Sequence, residues 1–488
     1  MAKRVTVIDI GSNSVRMVVY ERTSRFAFHL LHEEKSKVRI SENAYEHGGN
    51  LQDIPMQRTF DALANFLSIS DSFKARKVLC VATSALRDAP NKKDFLQSVK
   101  HKLKLNIKII DGSKEAYLGA IACANLLPEQ KNALSIDIGG GSTEFTLIDA
   151  KDVSNTLSLE LGTVRLKELF FDKGLIEEAK IYIDSKLEAL DGFEAKTLIG
   201  IGGTFRAISS AIMEIDTYPL AKLHAYEYPI EKLQIFITEV LNANEEELER
   251  LGIKSNRFDV IKPGALILDR VLKKLSLSNA ITSGVGVREG VYLADLLRNS
   301  KDKLPANYNT SVRCLLDLHV NDKNHSNQLN KLSKKLFDLT HKYLKIDSIY
   351  RYELALAAKL YPIGSSIHFY SQNKHSYYLI QSALEYGFSH SQVLLISTLT
   401  KYAKKKLPAA SHREKYALLL PNESSLNALS YLLSLTIALL SHKPRNIDFE
   451  LEFEDGVLTV VSKSRLYISQ NAVEILDCSK NLQILFKQ

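Results

Sequence analysis

The sequence predicts an α/β protein whose first 300 residues form two related lobes facing a cleft. Three observations carry that expectation. Strand-like and helix-like runs alternate from the start to about residue 300, the pattern of layered α/β folds. Two glycine-bearing turns, Asp9-Ile10-Gly11-Ser12-Asn13-Ser14 and Asp137-Ile138-Gly139-Gly140-Gly141-Ser142-Thr143-Glu144, each follow an apolar strand that ends in aspartate. The two aspartates are 128 positions apart (137 − 9), and each turn runs into a second β-run, so one hairpin opens each half.

In lobe I, 1–125, strands are expected at 5–9, 15–20, 77–81 and 107–110, with helices at 56–70, 92–103 and 114–126. In lobe II, 126–300, strands are expected at 133–137, 144–148, 156–160, 197–201 and 280–283, with helices at 164–171, 203–213 and 288–297. The polar, proline-containing stretch 301–307 reads as a linker. Residues 308–406 read as a helical domain, with Leu329, Leu332, Leu336 and Leu339 at helical spacing. Residues 407–488 read as a small α+β unit: a helix at 424–440, then strands at 447–453, 457–461 and 483–486. Asp455-Gly456 is a strong hairpin signal between the first two of those strands.

The chain has 488 residues, length for about three or four domains. No apolar run reaches the roughly 18 residues that span a bilayer. Asp9, Asn13 and Arg16 interrupt what would otherwise be the apolar core of a signal peptide. Cys80, Cys123, Cys314 and Cys478 are scattered without metal-type spacing, which suits core positions in a reducing compartment. A cytoplasmic protein without a membrane partner is therefore expected. The net charge of +8 is uneven. Lys plus Arg against Asp plus Glu is 40 against 40 in residues 1–300, 16 against 7 in 301–406, and 8 against 9 in 407–488. The excess lies in the helical domain, as a docking surface for a polyanion requires, although a solvated helical face looks the same.

The two turns carry the chemistry. Glycine lets backbone approach a ligand closely, and successive N–H groups in such turns bind anions. Asp9 and Asp137 can hold a divalent cation jointly with phosphate oxygens. Ser12, Asn13, Ser142 and Thr143 add donors. Arg87 follows a strand ending in Thr83-Ser84 and suits bidentate phosphate binding. Glu115 opens a helix after Asp111-Gly112; it either complements the helix dipole or acts as a general base on water. Leu198 to Thr204 is a third glycine turn. Arg288, after Gly284-Val285-Gly286-Val287, reaches a phosphate or pairs with a carboxylate.

Seven runs, VIDIGSNSVRMVV, VATSALRDAPNKKDF, DGSKEAYLGA, SIDIGGGSTEF, ELGTVRLKELFF, IGIGGTFRAIS and SGVGVREGVYLADLL, stand in the order and spacing of the exopolyphosphatase / guanosine pentaphosphate phosphatase family. The resemblance covers residues 1–300. It implies the actin-like, ribonuclease-H-like two-lobe fold and a Mg²⁺-dependent hydrolase. The substrate would be inorganic polyphosphate, guanosine pentaphosphate, or both. Carried over by motif, Glu115 is the water-activating base, with Lys114 where many relatives have another glutamate. Asp137 and Glu144 hold Mg²⁺ and the attacking water, with Asp9 opposite. Gly139, Gly140, Gly141 and Ser142 cradle phosphate against Ser12 and Asn13, and Arg87 and Arg288 neutralise developing charge.

The C-terminal part resembles the helical extension of longer family members, akin to HD-type metal phosphohydrolases. Tyr361 and Pro362 stand where that fold has metal ligands, so the resemblance implies an HD-like scaffold without its metal. His368 and His375 are expected to contact substrate, partner or solvent. A homodimer, guanosine pentaphosphate or tetraphosphate as nucleotide ligand, and no specific nucleic acid complete the expectations. Two rival readings are a kinase or ATPase of the same superfold, which needs an adenosine pocket near Gly200–Thr204, and a non-catalytic sensor of alarmone nucleotides or polyphosphate.

Overall fold

The computed structural model describes residues 3–404, 407–476 and 482–488. The chain divides into two compact units, Met1–Tyr308 and Asn309–Gln488.

The first unit is built on two sheets. One has the order β3-β2-β1-β4-β5, with β1 Arg4–Ile10, β2 Val15–Arg22, β3 Phe28–Ser36, β4 Lys77–Ala82 and β5 Ile107–Ile109. The other has the order β10-β11-β9-β6-β7-β8, with β6 Ala133–Ile138, β7 Thr143–Asp149, β8 Asp152–Leu159, β9 Thr197–Ile201, β10 Tyr226–Pro229 and β11 Asn279–Thr282. In each sheet an antiparallel meander of three strands is continued by two parallel strands on the far side of its first strand, and the second sheet adds β10 as an antiparallel edge. The two lobes thus repeat one topology, as the paired turns imply.

Register carries the repeat down to single residues. Asp9 lies opposite Arg16 across the first hairpin, and Asp137 lies opposite Glu144 across the second. Each turn is closed by the same bond: Gly11 N–H donates to the Ser14 carbonyl at 3.2 Å, and Gly139 N–H to the Ser142 carbonyl at 2.9 Å. Alternating residues fill the cores beneath: Ile8, Ile10, Val15, Met17 and Val19 in one lobe, Leu134, Ile136, Ile138 and Phe145 in the other. Each such side chain contributes about 1.5–3 kcal/mol on burial.

The last helix of the unit, Val287–Leu296, packs on helix Gly112–Leu126 and on β1 of the first sheet. Gly290 permits the close crossing, since a Cβ there would lie 1.9 Å from the Leu118 carbonyl oxygen. The helix that closes residues 126–300 thus packs back on the first sheet. Several elements lie where the sequence reading assigned none: β3, β10, and helices Ile176–Leu187, Ile230–Asn242 and Phe258–Lys274. β3 is an edge strand with charged, exposed residues, which hides its alternation. Pro263 sits inside helix Phe258–Lys274 and masks it as a break.

The second unit is mostly helical, with a three-stranded sheet of β12 Phe449–Glu454, β13 Val457–Ser462 and β14 Gln483–Lys487. The hairpin at Asp455-Gly456 forms as expected, with φ of 44° and 85°. One hydrophobic core runs from Val312 to Leu482. Helix Glu423–Leu439 packs on helices Lys323–Thr340, Arg351–Leu360 and His390–Tyr402. The division expected at 406/407 thus runs through a shared core, because the apolar helix of the small unit completes the helical domain. Tyr361 is buried and Pro362 half-buried in a 3₁₀ turn, Tyr361–Ser366, while His368 is exposed and His375 half-buried.

Among the described residues Cys80, Cys123 and Cys314 are buried and are not in disulfides; Cys478 lies outside the described residues. Among the described residues no helix is long and apolar enough to cross a membrane.

Candidate active site

A cleft of about 990 Å³, open mouth included, lies between the two hairpin turns. The tips meet across it: a Cβ on Gly140 would lie 2.8 Å from Ser12 Cβ and 3.4 Å from the Asn13 nitrogen. Asp9, Ser12, Asn13, Glu115, Asp137, Gly139, Gly140, Ser142, Glu144 and Arg288 all line this space, so ten of the twelve expected site residues are brought together. The other two lie apart. Gly141 is not among the lining residues, and its carbonyl accepts from Arg165 Nε at 3.0 Å. Arg87 lines a neighbouring cavity that shares Ser142 with the cleft.

Local sequence explains how each acid is presented. Asp9 and Asp137 end their strands next to the turns. Asp111 caps helix Gly112–Leu126 by accepting the Lys114 N–H at 2.8 Å. That cap starts the helix so that Glu115, in its first turn, is buried at the cleft wall, whereas Lys114 turns over the Tyr117 ring. Arg87 Nη1 donates to Glu115 Oε2 at 2.9 Å. Glu144 is buried and accepts from Ser158 Oγ at 2.8 Å.

The acids crowd one another. Burial, reinforced by Asp137, pushes the Glu144 carboxyl up to about 8. Burial lifts Asp137 to about 6, with Arg206 opposing and Asp9 adding. Burial and Glu144 hold Glu115 well above the usual carboxylate range despite Arg87. Burial raises Asp9 as well, against Arg288 and Arg16.

Cations crowd the same cleft, and sequence reasoning gave a role to only one of them. Arg16, Lys35, Arg206 and Arg257 line it beside Arg288. Burial, with Arg288 and Arg206 adding, lowers Arg16 to about 10. Partial burial, with Arg16 and Arg257, lowers Lys35 to about 8. Burial lowers Arg206 and Arg257 too, each with a neighbouring arginine contributing. Repulsion among these cations thus adds to burial in lowering them. Arg288 lines the cleft and has the expected carboxylate partner, pairing with Glu33 at 2.5 Å. Available signals were Arg16, a charge inside an otherwise buried strand, and Arg206, one turn after Gly202. Lys35 and Arg257 gave none.

The third glycine turn also reaches the cleft. Gly202, Gly203 and Thr204 line it at the start of helix Gly202–Ile215, where free N–H groups favour anions. Gly202 has φ +85°, and a Cβ there would lie 2.5 Å from Asp137 Oδ1. Among the described residues no group of three or more His, Cys, Asp or Glu is arranged to hold a metal ion by itself. Asp9 Oδ1 is nonetheless buried without a hydrogen-bond partner, and an all-oxygen donor set of this kind suits a hard divalent cation that takes its other ligands from water and phosphate.

Comparison with known proteins agrees with this geometry. Residues 18–299 match the model of the Ppx/GppA phosphatase family, and residues 309–471 match Ppx/GppA phosphatase, domain III. A guanosine-5'-triphosphate,3'-diphosphate pyrophosphatase of Photobacterium profundum is 27% identical over 448 residues, covering 89% of this chain and 85% of the relative. A bifunctional 3-dehydroquinate synthase/phosphatase of Fusobacterium nucleatum is 31% identical over 287 residues; the match takes in 54% of this chain and only 42% of that longer protein. The crystal structure of an exopolyphosphatase from Cytophaga hutchinsonii is 25% identical with a TM-score of 0.57, covering 62% of this chain and 100% of its own. An Aquifex aeolicus family member is 26% identical with a TM-score of 0.53, covering 62% and 99%. With its actin-like pair of lobes and a family match over more than half its length, the chain belongs to the Ppx/GppA phosphatase family, a family of phosphate-releasing hydrolases.

Proposed function

We propose that this hydrolase removes the terminal phosphate from inorganic polyphosphate, from guanosine pentaphosphate (yielding the tetraphosphate), or from both. The observation that carries the reading is one cleft lined by five acids (Asp9, Glu115, Asp137, Glu144, Glu289) and five cations (Arg16, Lys35, Arg206, Arg257, Arg288) between two repeated anion-binding turns. An equal mixture suits a substrate that brings both negative charge and a coordinated cation.

The terminal phosphate would sit between the turns, held by backbone N–H groups of Gly139 and Gly140 and by Ser12, Asn13 and Ser142. Arg16, Arg206, Arg257 and Arg288 would take the charge of the phosphates behind it. Asp9, Asp137 and Glu144 would hold Mg²⁺ or a similar divalent cation. When bound, that ion supplies charge neutralisation on the phosphoryl oxygens. Glu115 takes a proton from water, whose oxygen forms a bond to the terminal phosphorus. The bridging P–O bond breaks, and its electron pair goes to the bridging oxygen of the remaining chain. Arg87 keeps Glu115 oriented and, with Arg288, offsets charge that develops in the transition state.

The lobe division near residue 125, the HD-like kinship of the second unit, a homodimer, a cytoplasmic location and polyanion docking on the basic 301–406 segment belong to the same proposal. The direct test is a paired rate measurement. Orthophosphate release from long-chain polyphosphate and from guanosine pentaphosphate is followed with Mg²⁺ and with chelator. Release from at least one substrate, lost on chelation, is expected. Phosphoryl transfer from ATP to an acceptor, with neither substrate hydrolysed, would overturn the reading in favour of a kinase.

A further inference from the structure

In-line displacement imposes a traffic problem on this cleft. The attacking water must approach the terminal phosphorus from the side opposite the leaving oxygen. With the remaining chain filling the front cleft, the freed orthophosphate is trapped between that chain and the Glu115 wall. It leaves either by retreat of the chain or by a second opening.

A second opening is present. A cavity of about 660 Å³, mouth included, lies behind the site, and Ser142 lines both spaces. Arg87 lines the rear cavity while Glu115 lines the cleft, and their 2.9 Å ion pair stands at the partition. Two of the three acids of the rear cavity have cation partners. Asp88 meets Arg87 Nε at 3.3 Å and Arg165 at 3.6 Å. Glu160 meets Lys186 at 3.5 Å and Arg165 at 3.9 Å. Asp111 is occupied as a helix cap. A dianion crossing this space therefore meets two paired acids, the Asp111 helix cap, and the Arg87 guanidinium that Glu115 and Asp88 hold in place.

We propose that the rear cavity is an orthophosphate exit site, in which Arg87 and Ser142 receive the released phosphate while the shortened chain stays in the front cleft. The proposal rests on the hydrolytic reading above and adds to it a route by which successive phosphates leave without dissociation of the substrate. Product release then becomes a step the rear cavity controls.

The test narrows the rear mouth away from the chemistry. Ser113 is exposed and Thr156 half-buried, and both line the rear cavity and not the cleft. Ser113→Phe and Thr156→Phe are compared with the wild type on long-chain polyphosphate in rapid-mixing experiments. Acid quenching counts bound plus free orthophosphate, and a fluorescent phosphate-binding protein counts free orthophosphate alone. The first turnover after acid quench is expected to be unchanged, which also shows the variants to be folded. Free orthophosphate is expected to lag behind it, and steady-state kcat to fall severalfold. Free and total phosphate that rise together at wild-type rate in both variants would overturn the exit. A first turnover slowed as much as the steady state would overturn it too, assigning the cavity to water supply. A wild-type chain that hydrolyses neither polyphosphate nor guanosine pentaphosphate would sink the functional reading itself, and the exit with it; one that hydrolyses only the nucleotide would overturn the exit for successive phosphates alone.

Discussion

Arg16 and Glu144 occupy equivalent positions in the two repeats, each opposite the aspartate of its own hairpin. In the proposed hydrolysis Arg16 would serve the anionic substrate, and Glu144 a metal ion or water. Glu115 stands apart from both hairpins. Replacing it by Gln keeps its size and removes its proton affinity, so Glu115→Gln is expected to lower kcat by about 10²–10⁴-fold. Polyphosphate affinity, followed by equilibrium binding, should stay near the wild-type value. Undiminished turnover would exclude Glu115 as the base. Glu144 supplies a prediction about stability. Its carboxyl titrates near 8 in the folded chain, against about 4.3 in an unfolded one. Between those values the folded state binds the extra proton, so stability falls as pH rises through that window. In chelator and without substrate, Glu144→Gln should melt with the wild type near pH 5 and above it by several degrees at pH 8. A Tm difference that does not grow with pH would contradict the assigned burial.

The hairpin is the element that makes the site, and it was legible in the sequence because Asp, Gly and Ser recur there at one spacing. Eight of the twelve expected residues meet in one cleft for that reason, and Glu115 and Arg288 join them from helix starts. Arg87 and Gly141 did not, because sequence gives the end of a strand or turn but not which way its side chains and carbonyls face. Lys35 and Arg257 were invisible because they come from β3 and from a short turn before helix Phe258–Lys274, elements without a sequence signature. The return of helix Val287–Leu296 to the first sheet was likewise hidden, since packing partners distant in sequence leave no local trace. Gly202 tests the third turn. Alanine there incurs about 1–2 kcal/mol of left-handed backbone strain, and its Cβ would press on Asp137 Oδ1. Gly202→Ala is expected to lose stability of that order in denaturant titration and to lose a larger share of kcat/KM. Wild-type kcat/KM in this variant would detach Asp137 from the chemistry.

At the scale of the whole molecule, the first unit holds a balanced cleft and residues 301–406 hold the positive excess, 16 basic residues against 7 acidic. If that excess docks a long polyanion, ion release on binding makes affinity salt-dependent. The KM for long-chain polyphosphate should rise steeply with added salt while kcat changes little, and the KM for a short nucleotide should rise less. Equal slopes for the two would remove the second unit from substrate docking. The central claim is narrower: water, activated in the cleft between the two turns, attacks the terminal phosphorus. Hydrolysis of polyphosphate in ¹⁸O-labelled water tests it most directly. The account predicts that every released orthophosphate carries one labelled oxygen and that the shortened chain carries none. Label on the new chain end, or unlabelled orthophosphate with the phosphoryl group passed to an acceptor, would contradict it.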